Sequence, residues 1–492
     1  MAIETAVQTF KNLVNGQWVD SASGATFDNT NPANAAEIVG RFQASVEEDV
    51  IQAIEAADCA FQTWRYTAPS KRAEILYKAA DLLEAGLEQY AEELTREEGK
   101  TLASSRMEVK RSAQTLRYYA SEGLNVAGET LPSDDPTTFV YTKKEPLGVI
   151  TVITPWNFPL SIPVRKIAPA LVSGNTVVFK PASDTPLIAF RLVQALHEAG
   201  LPAGVINFVT GSASKTGVPL VTHPAVKAVT FTGSTGAGEK INQSVRLSTR
   251  VQLELGGKNP LIVMEDADIE QAAELAIKGG FELTGQACTG TSRVIVMDSV
   301  HDRFVDALIA KTKHLTVGNG LQKGVEVGPL ANASQLKNVL DYVEIGKAEG
   351  AELVYGGEHL TEGELAGGYY VRPAIFTNVK PDMRIAQEEI FGPVISVIRV
   401  TSFQEAMRIA NDVEFGLSAA ICTFDQNRIQ HFINNIQAGV VKVNRTTTGN
   451  AYNAPFGGVK MSSTATYRES GRGALEFYTQ IKSVYHGVQS ID

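Results

Sequence analysis

The chain is predicted to be an α/β protein built on two sets of parallel-sheet units, and three observations on its 492 residues carry that prediction. Short β-branched runs recur every ~25–30 residues from Leu147 onward, with helical stretches between them. Most of these runs are apolar throughout rather than alternating, as strands covered on both faces require. The composition, 44% apolar and 20% charged, is that of an ordinary globular chain, long enough for roughly three domains at ~150 residues each.

Along the chain, Ser45-x-x-Glu48 reads as a capping box that opens a helix through Trp64. A second helix is expected over Ser70–Glu98, with Ile75, Ala79, Leu82, Leu83 and Leu87 on one side and Gly99 as its stop. A third starts near Leu102 and runs toward Gly123. The first sheet takes Val149–Ile153, Thr176–Phe179, Val205–Val209, Val226–Phe231 and Val251–Leu255. The second takes Leu261–Met264, Arg293–Val296, Glu352–Tyr355, Ala374–Thr377, Val394–Val400, Ala419–Thr423 and Val440–Val443. Thr137–Lys144 and Tyr478–Val488 fit neither set; lone strands with open edges pair with another chain, so they are candidate oligomerisation arms.

Charge and punctuation exclude several functions. Lys plus Arg number 44 against 54 for Asp plus Glu, a net charge of −10, and no run of five or six like charges occurs, which argues against a nucleic-acid partner. The longest uncharged stretch is interrupted by Pro146, Pro155, Pro159 and Pro163, so it reads as a buried strand and a loop, not a membrane span. Met1–Asn12 has no apolar core behind basic residues, and three cysteines cannot make a disulfide framework, so a cytoplasmic location is expected. Cys59 and Cys422 are expected to fill the core. The seven histidines show no ligand spacing, and no metal site is expected.

Several strings could carry chemistry. Phe231-Thr-Gly-Ser-Thr-Gly-Ala-Gly238 stands where a strand gives way to a helix, either as a plain turn or as a place where backbone amides approach a phosphate. Phe179-Lys-Pro-Ala-Ser183 ends another strand; its Lys is either a surface residue or a ribose or phosphate ligand. Cys288 lies in the polar, glycine-punctuated Thr284–Arg293, where a nucleophilic thiol and a structural one are both open readings. Glu254 interrupts the apolar Leu253-Glu-Leu, as a salt-bridged group or as a base whose pKa burial raises.

Taken together, Thr154-Pro-Trp-Asn-Phe-Pro159, Phe231-Thr-Gly-Ser-Thr235, Leu253-Glu-Leu-Gly-Gly257, Gly285-Gln-Ala-Cys288, Glu388-Glu-Ile-Phe-Gly-Pro393 and Pro455-Phe-Gly-Gly458 resemble, in order, the aldehyde dehydrogenase superfamily. The resemblance implies a Rossmann-like cofactor domain (1–130 and 148–256), an α/β catalytic domain (257–458) and a small β oligomerisation arm (131–147 and 459–492). It makes Cys288 the nucleophile toward an aldehyde, with Asn157 and the Cys288 N–H holding the oxyanion. Glu254 would activate the water that hydrolyses the thioester, and Lys166 would relay protons beside it. Thr154, Trp156, Lys180, Ser183, Gly233, Ser234, Glu389 and Phe391 are the implied cofactor residues.

Members devoted to NAD often carry Glu three residues after that lysine; Ser183 here removes the repulsion of a 2′-phosphate and implies NADP as preferred cofactor, with NAD as the other. Arg165 and Arg293, with Asn450 and Phe456, are the implied substrate residues, and two guanidinium groups suit a carboxylated semialdehyde such as succinate or α-ketoglutarate semialdehyde. The alternatives are a broad-specificity enzyme for neutral aldehydes or a non-catalytic binding or structural protein on the same scaffold. A CoA-acylating relative typically lacks a base at the position of Glu254, and a cysteine hydrolase needs a histidine partner, the nearest in sequence being His301. The implied partners are a small aldehyde and further copies of the chain, as a homodimer or homotetramer.

Overall fold

The computed structural model describes residues 7–464 and 466–488; the chain's extreme ends, and with them the limits of the expected cofactor segment and arm, lie outside the described residues. Five parallel strands form one sheet in the order Arg250–Glu254, Val226–Thr232, Val149–Ile153, Thr176–Lys180, Ile206–Phe208. The last of these pairs with an N-terminal hairpin, Asn12–Val14 and Gln17–Val19, in antiparallel register. A second sheet runs Glu352–Tyr355, Ala374–Thr377, Val394–Val400, Thr291–Met297, Asn259–Val263, Ser418–Cys422, Val440–Val443, parallel except for its first pair. Central strands such as Thr176–Lys180 and Asn259–Val263 are buried at every residue, which explains the apolar runs Val177–Phe179 and Leu261–Val263 within them.

The N-terminal helices depart from expectation in two places. Helix α1 (Glu47–Trp64) is not opened by a Ser45–Glu48 box. Ser45 Oγ instead accepts from Asn12 Nδ2 (2.8 Å), and Asp49 takes the Val46 N–H (2.8 Å). The expected single helix over Ser70–Glu98 is two, α2 (Pro69–Ala85) and α3 (Leu87–Glu98). They break at Gly86, where the Tyr90 ring occupies the space any Cβ would need. Next comes α4 (Leu102–Glu122), whose buried stripe mixes Val109, Ala113 and Leu116 with Ser105, Glu108 and Ser112. Then α5 (Ser161–Val172) covers part of the stretch expected as loop, and α6 (Pro186–Glu198) follows the strand Thr176–Lys180.

The N-terminal strands, including the hairpin Thr26–Asn31 and Asn34–Gln43, are absent from the sequence reading, because polar residues make up most of the first strand and interrupt the second. Cys59 is exposed, not core: the buried stripe of α1 runs through Val50, Ala53, Ile54, Ala57 and Phe61 and misses it. Cys422 is buried in its strand, 4% exposed. The two supposedly lone strands pair with each other, Thr138–Pro146 against Thr479–Gly487, with Thr130–Leu131 as a third. One edge of Thr479–Gly487 stays open, with Ile481 and Tyr485 exposed. Among the described residues no helix is long and apolar enough to cross a membrane.

Candidate active site

The parallel register of the first sheet sets several predicted residues on one edge. Thr232 pairs with Glu254, Phe231 with Ile153, and Ile153 with Lys180. Thr154, Lys180, Gly233 and Glu254 therefore all lie at the carboxyl ends of adjacent strands. Strand order reverses between Val149–Ile153 and Val226–Thr232, and in open α/β sheets ligands bind in the crevice beyond such a reversal.

Polar groups on this edge are left ready for a ligand. Thr154 Oγ1 is buried with no partner among the described residues. Lys180 Nζ, buried, gives one hydrogen bond to Pro181 O (2.9 Å), and burial lowers its pKa to about 8. Ser183 Oγ donates to Gly211 O (3.1 Å). Gly233 N–H donates to Glu254 O (3.1 Å), and Ser234 caps the helix Thr235–Ser244 without spending its hydroxyl on the cap. The second half of the chain closes the crevice: Phe391 meets Trp156 edge-to-face at 5.4 Å. Glu389 accepts Gly257 N–H (2.9 Å) and packs where a Cβ on Gly256 would collide with it. Burial lifts the Glu389 carboxyl to about 7.

Cys288 follows three consecutive left-handed residues, Leu283 (φ 54°), Thr284 (φ 56°) and Gly285 (φ 70°). Two non-glycine residues there cost roughly 1–2 kcal/mol each, so the surroundings must hold the turn. They do so through Thr284 Oγ1 to Gly328 O (2.9 Å) and Ala331 N–H to Gln286 Oε1 (2.9 Å). Beyond the turn, Asn259 Nδ2 donates to both Cys288 O (2.8 Å) and Gly290 O (2.9 Å), and Thr447 Oγ1 donates to Thr289 O (2.7 Å). The Cys288 N–H has no partner among the described residues. Its side chain keeps partial access to solvent, and desolvation pushes the thiol up to about 12 against the opposing pull of Arg165.

Asn157 reaches the same turn: Nδ2 donates to Gln286 O (2.9 Å), leaving its second amide hydrogen free. Glu254, 2% exposed, accepts Ser463 Oγ on Oε1 (3.2 Å), while Oε2 is buried without a partner among the described residues. Burial first, then the nearby Glu469 charge, raise its carboxyl well above the ordinary range; Lys166 opposes them. Lys166, fully buried on α5, donates to Thr230 Oγ1 (2.9 Å) and pairs with Glu469. A buried carboxyl–lysine–carboxyl group, Glu254, Lys166 and Glu469, thus stands near the thiol.

The predicted substrate residues divide. Arg165 Cζ lies 5.3 Å from the Phe456 ring centroid, and its charge acts on Cys288, so these three come together. Asn450 follows the loop that Lys442 pins through Thr447 O (2.9 Å), Thr448 O (2.5 Å) and Gly449 O (2.7 Å). Arg293 is a correction. It is fully buried, and its guanidinium is consumed by Lys258 O (3.2 Å), Ile409 O (3.0 Å) and Ala410 O (3.0 Å). A strand-bound cation with no exposed surface, turned onto three backbone carbonyls, is not placed to meet a substrate carboxylate. Arg293→Ala is expected to cost on the order of 3 kcal/mol in chemical denaturation while leaving the ratio of KM values for carboxylated and neutral aldehydes unchanged.

Sequence reasoning missed Lys100, Asn259, Ser463 and Glu469, each within hydrogen-bonding reach of a site residue, and Glu108, which accepts from Lys100 and from the backbone of Leu160 and Ser161. The usable signal was a charge on a buried stripe, as for Glu108 in α4. Among the described residues no group of three or more His, Cys, Asp or Glu could hold a metal ion.

Comparison with known proteins agrees with this geometry. The pattern of the "Aldehyde dehydrogenase family" matches residues 18–484. Alpha-ketoglutaric semialdehyde dehydrogenase of Bacillus subtilis (strain 168) is 49% identical over 99% of both chains. 2,5-Dioxopentanoate dehydrogenase of Saccharolobus solfataricus is 46% identical over 96% of this chain and 98% of its own. Betaine aldehyde dehydrogenase of Staphylococcus aureus, solved in complex with NAD+, superposes with a TM-score of 0.95 at 35% identity, covering 98% of this chain and 95% of that one. Fold, ordered motifs and near-complete coverage lead to one conclusion: the chain is an oxidoreductase that belongs to the aldehyde dehydrogenase family.

Proposed function

We propose that the enzyme oxidises a carboxylated semialdehyde of the α-ketoglutarate semialdehyde type to the dicarboxylic acid. The observation that carries this reading is Arg165. It is half-buried beside Cys288 and Phe456, and among the described residues it has no ion pair and one hydrogen bond, a long one to Ser161 O (3.4 Å). A partly desolvated guanidinium without a carboxylate partner is costly unless a ligand supplies one. The names of the Bacillus and Saccharolobus relatives point to the same substrate class.

In this reading Cys288 attacks the aldehyde carbon as the thiolate, its proton already given to solvent, and the new oxyanion takes hydrogen bonds from Asn157 Nδ2 and the Cys288 N–H. Thr154, Trp156, Lys180, Ser183, Gly233, Ser234, Glu389 and Phe391 hold a nicotinamide dinucleotide, which when bound supplies the hydride acceptor for the oxidation. The acyl group then stays on sulfur as a thioester. Glu254 takes a proton from the attacking water, Cys288 leaves as thiolate, and the acid is released. Lys166 and Glu469 balance the charge change at Glu254.

Ser183 favours NADP, because its hydroxyl, now donating to Gly211 O, can turn to donate to a 2′-phosphate that a carboxylate would repel, and Lys180 has spare donors three residues before it. The open edge of Thr479–Gly487, with its exposed Ile481 and Tyr485, supports the arm as the contact between copies in a homodimer or homotetramer.

The test is a ranking of kcat/KM for α-ketoglutarate semialdehyde, succinate semialdehyde and hexanal with each cofactor, in the parent enzyme and in Arg165→Ala. Carboxylated aldehydes and NADP should rank first. The variant should lose roughly 10- to 100-fold on carboxylated substrates and a few-fold at most on hexanal, the span expected for a charge-assisted hydrogen bond. A parent enzyme that prefers hexanal, or an equal loss on all three, overturns the substrate assignment; a strong NAD preference overturns the reading of Ser183.

A further inference from the structure

Lys100 is an ion that the catalytic cycle just described does not use, yet it is 2% exposed. Its Nζ donates to Glu108 Oε2 (2.6 Å) and to the backbone carbonyl of Asn157 (2.7 Å), and it stands 4.6 Å from the centroid of the Phe158 ring. The other oxygen of Glu108 accepts the N–H groups of Leu160 and Ser161 (3.0 Å each). One buried ion pair thus grips the segment 157–161 at both ends, by a carbonyl at Asn157 and by two amides at the start of α5.

The grip continues to the nucleophile. Leu102 N–H donates to Gly320 O (2.9 Å), and a Cβ on either Gly320 or Gly328 would collide with the Gly99–Lys100 backbone. Gly328 O in turn accepts Thr284 Oγ1 (2.9 Å), in the left-handed turn before Cys288. Asn157 Nδ2 closes the circuit on Gln286 O (2.9 Å). Burying an ammonium and a carboxylate costs several kcal/mol per ion before pairing, so an apolar pair would serve packing alone as well. What an apolar pair could not supply is a donor on the Asn157 carbonyl and an acceptor for two backbone amides.

We infer that Lys100, seated by Glu108, is the positioning residue that aims the Asn157 amide at the oxyanion of the Cys288 adduct. Donors preset toward developing charge act without reorganising, and a displaced donor loses most of that effect. The inference rests on the oxyanion role proposed for Asn157 and is tested apart from it. Four proteins are compared: the parent, Lys100→Met, Asn157→Ala and the double variant. The readouts are the single-turnover rate of reduced-cofactor formation, the KM for the aldehyde and the rate of Cys288 alkylation by iodoacetamide.

Lys100→Met should lower the single-turnover rate on the order of 10- to 100-fold with KM and alkylation little changed, and Lys100→Arg should recover part of the loss. The double variant should be no slower than Asn157→Ala, because both changes remove one effect. If the losses multiply, or Lys100→Met keeps the parent rate while Asn157→Ala does not, the positioning role is wrong and the oxyanion role stands. If Asn157→Ala itself keeps the parent rate, both fall. Where Lys100→Met does not fold, Lys100→Gln with Glu108→Gln leaves a neutral hydrogen-bonding pair and takes its place in the same cycle.

Discussion

Glu254→Gln should yield an enzyme that releases about one equivalent of reduced cofactor per site and then stalls, with steady turnover reduced roughly 10²- to 10⁴-fold, the usual worth of a general base. The amide matches the carboxylate in shape and still accepts Ser463 Oγ on its oxygen, so the fold and the first half-reaction are spared. What is lost is the proton acceptor for the attacking water, since Glu254 Oε2 is the buried oxygen with no partner among the described residues. The pH dependence follows from the same surroundings. Burial and Glu469 raise the Glu254 carboxyl well above the ordinary range, so its basic form is gained as pH climbs, later than an exposed glutamate's at about 4.3. Deacylation in the parent should therefore rise with pH through that displaced titration, and the Gln variant should lack the limb. Rapid-mixing absorbance across a pH series reads both. Disappearance of the burst as well would assign Glu254 to the first half-reaction.

The residues read correctly in the sequence are those whose chemistry and neighbours agree. Val149–Ile153 and Val394–Val400 are β-branched because they are buried between helices, and both strands have the bounds expected. Cys288 and Glu254 stood out as candidates because a polar group in a glycine-rich or apolar string is conspicuous, with a structural reading still open for each, while Asn157 entered only through the family resemblance. Arg293 took its expected substrate role from the family resemblance alone, but its strand is central in the second sheet, and its needs are met by carbonyls over a hundred residues away along the chain, which local sequence does not report. Gln17–Val19 and Thr26–Asn31 were hidden because they are short or rich in Asp and Asn, residues that strands otherwise avoid and that a half-exposed hairpin tolerates. Lys100 was hidden in plain charge: Glu97-Glu98-Gly99-Lys100 reads as a solvated helix end, and only the fold shows Glu97, Glu98 and Lys100 all buried. Glu97 is there to accept the N–H groups of Leu187 and Ile188 at the start of α6. Long-range satisfaction of buried charge is the part of this site that periodicity and motif cannot supply.

The largest loss of all is expected for Cys288→Ala, on the order of 10⁴-fold or more in both burst and steady turnover, since no other group here can carry the acyl intermediate. Stability should change little, because the turn around residue 288 is held by backbone and neighbouring side chains: Asn259 on Cys288 O, Thr447 on Thr289 O, Thr284 on Gly328 O. The parent thiol makes a sharper test. With its pKa raised to about 12 by desolvation and the nearby carboxylates, only a small fraction is thiolate at neutral pH, and that fraction grows tenfold per pH unit. Alkylation of the free enzyme at this cysteine should thus keep climbing beyond pH 9, where an exposed thiol of pKa about 8.5 has begun to level off. Arg165 pulls the other way, so Arg165→Ala should lower the alkylation rate at every pH in that range. Mass spectrometry separates Cys288 from the exposed Cys59 in the same experiment. A plateau near pH 7 would mean that a cation nearer than Arg165 stabilises the thiolate, and the activation of the nucleophile would have to be reassigned to it. A steady climb instead leaves thiolate formation to be driven within the ternary complex, where the aldehyde oxyanion, not the sulfur, is the charge that Asn157 and the Cys288 N–H are placed to hold.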